Sequence, residues 1–401
     1  MNDPSHPMPD MTHTDKIAMI RAELPAVATR AYLNAGTNGP LPRRTAEAIT
    51  DAATSELTEG RIGRVAYARA SQAETATQGM MAALLGCDPS EVALTHNTSE
   101  GMNMAVRGLN WQAGDEVITA TTEHPGGLFP VYLIHQRYGV RIRMTGIGLS
   151  QLDPVAELRK VLTSRTKAVV LSHVSWATGM VLPMREICDL AHTVGAVVIC
   201  DAAQSCGMVP SRVYDLGVDA YACSGQKWLC GPDGTGALFV RRDRLPDIRQ
   251  TFIGYRGVIA GMSDYEGNFV PRQDTGRYQV ATLYPPSVAG LGTSLHWLAT
   301  DIGWDWIYAR IHALGQYCYE ALASLPGVTL YSPRQTMAGL VHFTVNGITP
   351  PDLTATLEDR QISIRYTPNP HVNRVSTGFY NTEAEIDHMV SVIREVSAAS
   401  A

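Results

Sequence analysis

The sequence lacks any long block of like charge. Its 401 residues include 32 Lys and Arg and 38 Asp and Glu, which gives a formal net charge of −6, and the two signs are interspersed. Proteins that bind nucleic acid or anionic membranes use basic patches that displace counterions. The charge pattern therefore argues against a nucleic-acid partner and a membrane surface, and it indicates that ligands bind at a local site.

Long apolar runs and targeting signals are also missing. No stretch is long enough to span a bilayer, and the polar, proline-rich start has no basic segment followed by an apolar run. We therefore expect residues 1–28 to be an unstructured N-terminal leader of a cytoplasmic protein.

Cysteine is scarce and irregularly spaced. The seven cysteines lie mostly within apolar runs, form no CxxC pair and leave one unpaired in any disulfide scheme. We expect reduced core thiols and no metal site. No GxGxxG motif follows the first strand, which disfavours a nicotinamide-binding oxidoreductase.

What the chain does contain is an alternation of Val- and Ile-rich runs with helical patterns from about residue 45 onward. This alternation predicts an α/β fold with a mostly parallel sheet that is covered on both faces. The character changes after Pro285-Pro286, where a long helical stretch leads to a few more strands. We expect a large domain over 29–286 and a smaller α+β domain over 287–401.

Polar, small or titratable residues follow several of the predicted strands. In open parallel sheets, ligands bind beyond the carboxyl ends of the strands, where the following loops converge. The segments at these ends read HNTSEG, TTEHPGG, SHVSWATG, CDAAQS and SGQKW. The sequence therefore predicts a ligand site that includes Lys227.

Lys227 and Asp201 follow two successive strands. Alone, Asp201 would be read as a helix N-cap, since Asp caps helices well. Together, an amine and an acid at neighbouring strand ends fit pyridoxal 5′-phosphate (PLP), which needs a lysine to hold it and an acid beside its ring nitrogen. We favour the cofactor interpretation of this pair.

A phosphate group would need a cradle, and NTSEGMNMAV offers one. Thr98 and Ser99 precede a helical pattern, which supplies free N–H groups and a favourable dipole, although an ordinary capping motif has the same appearance. His124 in EHPGG is a candidate for stacking on the cofactor. Its alternative is a loop histidine that forms ordinary hydrogen bonds.

The ordered motifs YLNAGTNGPLP, NTSEG, EHPGG, SHVSWATG, CDAAQS, SGQKWLCGPDGTG and RYQVAT resemble the class V aminotransferase family of PLP-dependent enzymes with fold type I. The resemblance covers about residues 30 to 395. Within the family, the chain most resembles the cysteine and cystine C–S lyases and the isopenicillin N epimerase-like proteins. It is less similar to the cysteine desulfurases.

The resemblance implies a role for each matching residue. Lys227 would bind the cofactor covalently, Asp201 would contact the ring nitrogen, and His124 would stack on the ring. The resemblance further implies Gln204 on the ring oxygen, Thr98, Ser99 and Ser224 on the phosphate, Thr282 on the phosphate of the partner subunit in a homodimer, Arg374 on the substrate carboxylate, and Arg365 as a second candidate for that carboxylate.

Several departures from the family bear on the substrate. The loop that carries a nucleophilic cysteine in desulfurases reads YTPNPHVN here, so persulfide formation on the enzyme is not expected. Gln226 replaces the histidine that relatives have before the lysine. Trp176 stands where desulfurases have asparagine, as in the C–S lyases, but Ala177 departs from the asparagine expected next in those lyases.

These features lead to the hypothesis of β-elimination from an S-substituted L-cysteine. An epimerase, an aminotransferase and a decarboxylation-coupled deaminase remain alternatives, since the same site supports each of them. Four residues are candidates for contact with the distal part of the substrate, and each has an equal claim to be a turn residue: Thr37, Asn38, Tyr255 and Arg256.

Overall fold

The computed structural model describes residues 12–399, which form twelve α-helices and fifteen β-strands. The helices are α1 (His13–Glu23), α2 (Arg43–Glu59), α3 (Arg64–Leu85), α4 (Thr98–Gly108), α5 (Pro125–Tyr138), α6 (Pro154–Val161), α7 (Met184–His192), α8 (Val213–Leu216), α9 (Pro285–His296), α10 (Trp304–Ala323), α11 (Pro350–Asp359) and α12 (Glu383–Ala399). The strands are β1 (Ala31–Tyr32), β2 (Val92–Thr95), β3 (Glu116–Ala120), β4 (Arg141–Thr145), β5 (Thr166–Ser172), β6 (Val197–Asp201), β7 (Ala220–Ser224), β8 (Gly236–Val240), β9 (Val258–Ser263), β10 (Phe269–Pro271), β11 (Val328–Leu330), β12 (Leu340–Val345), β13 (Ile362–Ser363), β14 (Arg365–Pro368) and β15 (His371–Ser376).

The large domain is built on a seven-stranded sheet with the order β2-β8-β7-β6-β5-β3-β4. All strands run parallel except β8, which is antiparallel to both of its neighbours. Side chains alternate between two buried layers, with Val169 and Leu171 in one and Ala168 and Val170 in the other. Both faces are therefore covered, which confirms the predicted α/β fold.

The smaller C-terminal domain contains a four-stranded antiparallel sheet with the order β11-β12-β15-β14. Helices α10, α11 and α12 pack against one another or against its strands. The boundary predicted at residue 286 falls inside α9, and this helix packs against α2 and α3 of the large domain. The long helical stretch after Pro285 is therefore divided between the two domains.

The N-terminal segment is largely folded, contrary to the expected leader over 1–28. Residues 1–11 lie outside the described part of the chain, but α1 buries Ile20, and Arg21 forms an ion pair of 2.8 Å with Glu385 in α12. A few residues later, β1 pairs in parallel with β13. Residues 13–32 thus pack with the C-terminal domain because they supply it with apolar contacts and backbone hydrogen bonds.

The seven cysteines are all free thiols, and six of them are buried. Burial raises the pKa of Cys230 and that of Cys87 to about 12, so both stay protonated at neutral pH. Within residues 12–399, no helix combines the length and the apolarity that crossing a bilayer requires.

Candidate active site

A cavity of about 250 Å³ lies at the carboxyl end of the large sheet and is closed on one side by the small domain. Its lining includes the ends of β2, β6 and β7 together with β14 and β15. The predicted site residues that line it are Thr37, Thr98, Ser99, His124, Trp176, Asp201, Gln204, Ser224, Gln226, Lys227, Arg365 and Arg374.

Lys227 lies just after β7 and contributes its side chain to the cavity. Burial and the charges of Arg374 and Arg365 lower the pKa of this amine to about 8, and the Asp201 carboxylate opposes the shift. An amine with a lowered pKa is unprotonated more often at neutral pH, so a larger fraction of it can act as a nucleophile or a base. The surroundings of Lys227 therefore favour its unprotonated form, which covalent or acid–base chemistry would need.

Asp201 is the last residue of β6 and is only 4% exposed. Its Oδ1 accepts a hydrogen bond of 2.9 Å from the backbone N–H of Ala203. Burial raises the pKa of this carboxyl, whereas the Ala203 N–H and the Lys227 charge lower it. The first turn of α5 lies very close to it, since a Cβ added to Gly127 would be 3.1 Å from Asp201 Oδ2.

Buried hydroxyl groups without hydrogen-bond partners line part of the cavity. Thr98 Oγ1 and Ser224 Oγ are buried and form no hydrogen bond, and Gln226 Oε1 is also unpartnered. Thr98 and Ser99 stand in the first turn of α4, where free N–H groups and the helix dipole favour an anion. Buried polar groups without partners are costly, so the two hydroxyl groups and the free N–H groups of α4 fit a bound phosphate as donors.

His124 is the N-cap of α5, and its ring orientation is fixed by a hydrogen bond. Its Nδ1 accepts a bond of 3.0 Å from Gly126 N, so the proton of the neutral ring sits on Nε2. Burial and the charges of Lys227, Arg365 and Arg374 lower the pKa of His124 to about 4. The ring is therefore neutral at pH 7.

The Trp176 ring meets the His124 ring edge to face, with 5.0 Å between their centroids. The backbone carbonyl of Trp176 accepts a hydrogen bond of 2.8 Å from His342 Nε2, and His342 is buried in β12. The small domain thus fixes the loop that carries Trp176. Sequence analysis did not find His342, because a single histidine in an apolar strand resembles an ordinary core residue.

Arg365 and Arg374 face each other across β14 and β15. Both guanidinium groups contact the Thr37 hydroxyl, at 3.4 Å for Arg365 and 3.1 Å for Arg374. Within residues 12–399, neither arginine forms an ion pair with a carboxylate. Burial and the neighbouring Arg365 lower the pKa of Arg374 to about 9, which marks a cation that lacks an anionic partner.

Gln204 contacts the same end of the cavity. Its Oε1 accepts a hydrogen bond of 3.1 Å from Trp228 Nε1, and its Nε2 donates one of 2.9 Å to the carbonyl of Gly36. The amide is held between two segments, which leaves one N–H of its Nε2 for a ligand.

Four predicted residues do not line this cavity. Asn38 is exposed, and its carbonyl accepts a hydrogen bond from Tyr32. Arg256 forms an ion pair of 2.6 Å with Glu74. Tyr255 and Thr282 lie elsewhere on the surface and share a hydrogen bond of 2.6 Å. Thr282 was expected at the cofactor of a partner subunit, so its position outside this cavity does not contradict that expectation. The sequence motifs could not show that Asn38, Tyr255 and Arg256 stand apart from the cavity within one chain.

Three polar residues near the site were missed. Asn97 caps α4 and lines the cavity, and Glu123 and Ser172 form a buried pair behind it. The signal for Asn97 was its position directly before Thr98. Glu123 stood beside His124 in TTEHPGG, but a single glutamate in a loop normally indicates a solvated side chain.

Comparisons with known proteins identify the family to which this chain belongs. A family model described as aminotransferase class-V matches residues 31–389. A probable cysteine desulfurase of Methanothermobacter thermautotrophicus is 26% identical over 396 residues, covering 94% of this chain and 97% of the relative. A cysteine desulfurase of Haloferax volcanii is 30% identical over 320 residues, covering 76% of this chain and 74% of the relative.

Among solved structures, the cystine C–S lyase C-DES in complex with its reaction product cysteine persulfide matches with a TM-score of 0.88 and 30% identity, covering 93% of this chain and 99% of that one. A lysine-to-alanine mutant of C-DES, with glycine covalently linked to its PLP cofactor, matches with the same TM-score and identity and covers 94% of this chain and 99% of that one. The chain belongs to the class V aminotransferase family, the PLP-dependent enzymes of fold type I.

Proposed function

We propose that this enzyme is a carbon–sulfur lyase that performs β-elimination on an S-substituted L-cysteine and releases a thiol, pyruvate and ammonia. One observation carries the proposal: the cavity combines Lys227 and Asp201 with two unpaired arginines, and none of the seven cysteines lines it. The similarity to the cystine C–S lyase C-DES supports the same class of reaction.

The donor set described above fits PLP. When bound, PLP supplies an electron sink that stabilises negative charge on the Cα atom of an amino acid. Asp201 would pair with the ring nitrogen and His124 would lie against the ring. The remaining contacts would come from Gln204 at the ring oxygen, from Thr98, Ser99, Ser224 and Gln226 at the phosphate, and from Lys227 as the covalent attachment.

Lys227 would also act as the general base. Once the substrate amine has displaced it, its free amine takes the Cα proton, and its lowered pKa of about 8 favours the unprotonated form that this step needs. The C–S bond then breaks with its electron pair on sulfur, and the thiolate leaves as a thiol after protonation. One water molecule converts the remaining three-carbon fragment into pyruvate and ammonia.

Arg374 would bind the substrate carboxylate, because it is buried, lacks an anionic partner and lies beside Lys227 in the cavity lining. Arg365 would help to bind this carboxylate from the neighbouring strand. The Thr37 side chain, which lies between the two arginines, would contact the substrate there. Trp176 would contact the distal part of the substrate. An oriented carboxylate fixes which Cα bond faces the cofactor ring, so these residues decide which bond breaks.

The fate of sulfur follows from the segment between Arg365 and Arg374. This segment forms the β14–β15 hairpin and contains no cysteine, whereas the resembling desulfurases carry a sulfur acceptor there. The sulfur would therefore leave on the substrate's own fragment.

We further propose a homodimer in which Thr282 reaches the cofactor phosphate of the partner subunit. A second cavity, of about 480 Å³, lies beside Thr282, and the exposed side chains of Ile62 and Tyr67 form part of its lining. Tyr255, hydrogen-bonded to Thr282, is also exposed, and it and Arg256 would approach the partner's substrate. Exposed apolar groups of this kind favour contact with another protein surface.

A hybrid dimer tests this arrangement. We expect Lys227→Ala and Thr282→Ala chains to form, on mixing, a hybrid with one fully wild-type site, because each site would take Lys227 from one chain and Thr282 from the other. Activity well above that of either parent supports the arrangement. A mixture that is no more active than the average of its parents contradicts it.

The reaction itself is tested with cystine and with an S-alkyl cysteine. We expect thiol (or, from cystine, a persulfide of free cysteine), pyruvate and ammonia in equal amounts without added reductant, measured by mass spectrometry and coupled assays. Carbon dioxide with an intact thioether would instead indicate decarboxylation-coupled deamination. The D-isomer would indicate an epimerase, a keto acid without loss of sulfur an aminotransferase, and a persulfide on an enzyme cysteine a desulfurase.

A further inference from the structure

Glu123 is a buried carboxyl group to which the proposed reaction assigns no role. It lies in the turn between β3 and α5, directly before His124, and is 6% exposed. Its Oε1 accepts a hydrogen bond of 3.0 Å from Ser172 N, and its Oε2 lies 2.6 Å from Ser172 Oγ. Within residues 12–399, this carboxyl forms no ion pair with Lys, Arg or His. A buried acid without a cation is costly, which calls for an explanation.

The position of Ser172 supplies the first part of that explanation. Ser172 ends β5, and its register partner on the neighbouring strand is Asp201. The two hydrogen bonds that Glu123 accepts from Ser172 therefore fasten the turn that carries His124 to the strand next to Asp201. Four residues later, the same turn packs against the Asp201 carboxylate, where a Cβ on Gly127 would come within 3.1 Å of Oδ2. The turn is thus anchored on one side and abuts Asp201 on the other.

Charge supplies the second part. Two buried carboxyl groups that sense each other do not both ionise easily. Burial and the charge of Asp201 raise the pKa of Glu123 to about 8, although the Ser172 bonds oppose the shift. The other titratable groups near the pair are uncharged at pH 7, since the raised pKa of Cys200 keeps its thiol protonated and the pKa values of His124 and His173, lowered to about 4, keep both rings neutral. Lys227 is the cation that Asp201 senses.

We propose that Glu123 is a positioning residue of the cofactor site: its neutral carboxyl fastens the His124 turn to β5 without placing a second negative charge beside Asp201. The inference rests on the roles proposed above for His124 and Asp201. A neutral Glu123 places no second negative charge beside Asp201, and its carboxyl stays held by Ser172 N at 3.0 Å and by Ser172 Oγ at 2.6 Å.

Glu123→Gln and Glu123→Ala test the proposal, with Glu91→Gln as a matched control. Glu91 is also a buried glutamate, 2% exposed, and its carboxyl accepts hydrogen bonds from Tyr214 and from the backbone of Arg242, away from the cavity. Glutamine reproduces the neutral, hydrogen-bonding form of the side chain, whereas alanine removes the anchor.

The first readout is the urea unfolding of the apoenzyme between pH 6 and pH 8. A folded-state pKa raised above the unfolded value means that the folded protein binds the extra proton in this range, so its stability falls as the pH rises toward 8. The ratio of the unfolding constants of wild type and Glu123→Gln should therefore rise by about tenfold per pH unit. A ratio that does not change with pH overturns the proposal, as does the same change in Glu91→Gln.

The second readout is the affinity of the apoenzyme for PLP, measured by the quenching of tryptophan fluorescence. Glu123→Ala should bind PLP about tenfold more weakly, because a buried anchor is lost, and Glu123→Gln should stay within about threefold of wild type. Equal affinity of Glu123→Ala and wild type overturns the positioning role. If Glu123→Ala does not fold, Glu123→Gln alone decides: a PLP affinity ten or more times weaker than that of wild type overturns the positioning role. Neither readout depends on which bond of the substrate breaks, so a wrong reaction would leave both unchanged.

Discussion

The two halves of the cavity differ in how their charges are balanced. The half formed by the large sheet contains Lys227 and Asp201, two opposite charges that sense each other. The half formed by the small domain contains Arg365 and Arg374, which have the same sign and face no carboxylate among residues 12–399. The first half is balanced before any substrate arrives, whereas the second half needs an anion from outside. We propose that this difference separates the residues that would do chemistry from those that would recognise the substrate.

The contrast between the two halves predicts three different losses of activity on mutation. The largest is expected for Lys227→Ala, because both covalent attachment and the general base are lost; turnover should fall by more than about 10⁴-fold. Borohydride reduction followed by mass spectrometry should find no cofactor attached to the mutant chain, while Lys160→Ala, a surface control, should match wild type. Retained turnover in Lys227→Ala would remove the central assignment.

A somewhat smaller loss is expected for Asp201→Asn. The amide keeps the shape of the carboxyl but carries no charge, and a ring nitrogen without an anion beside it is a poor electron sink. We expect kcat to fall by about 10³-fold while the cofactor remains bound, as measured by steady-state kinetics and by PLP content. If turnover stays at the wild-type level, Asp201 does not act on the ring, and the role proposed for it in the half formed by the large sheet is wrong.

The smallest of the three effects is expected for the two arginines in the half formed by the small domain. Arg374→Gln should lower kcat/KM by about 10²-fold and Arg365→Gln by about tenfold, because Arg374 is the more deeply buried cation. Both variants should keep the covalently attached cofactor, and Arg242→Gln, an exposed arginine, serves as the control. A reversed order of the two effects would exchange the roles of the two arginines. Loss of the cofactor from either variant would contradict the proposal that the arginines bind the substrate and not the cofactor.

Much of the half formed by the large sheet was predictable from the sequence, because the geometry of a parallel sheet brings the ends of its strands together. Asp201 and Lys227 each follow a Val-, Ile- or Ala-rich run, so their meeting required no detailed packing. Glu123 was not predictable, since its burial depends on the side chain of Ser172 from a strand almost 50 residues away. Tyr255 and Arg256 were candidates for contact with the substrate, but their positions outside the cavity depend on contacts with Thr282 and Glu74 that the sequence does not report.

The predicted leader failed for a related reason. The start of the chain looks polar when it is read alone, yet the Arg21 side chain and the backbone of β1 have partners that lie more than 300 residues later. No local pattern reports such contacts. The position of Thr37 between the two arginines has the same origin, because the residues just before it pair with β13.

The pairing of β1 with β13 also has a consequence for synthesis of the protein. The residues that would bind the cofactor within one chain lie between 98 and 227, whereas both arginines and the partner strand of β1 lie after residue 360. A ribosome therefore produces the half of the cavity formed by the large sheet long before the half that contains the two arginines. A chain that is released early lacks the arginines and leaves its own N-terminal residues without a docking surface. Only a chain translated nearly to its end can therefore select a substrate for its cofactor.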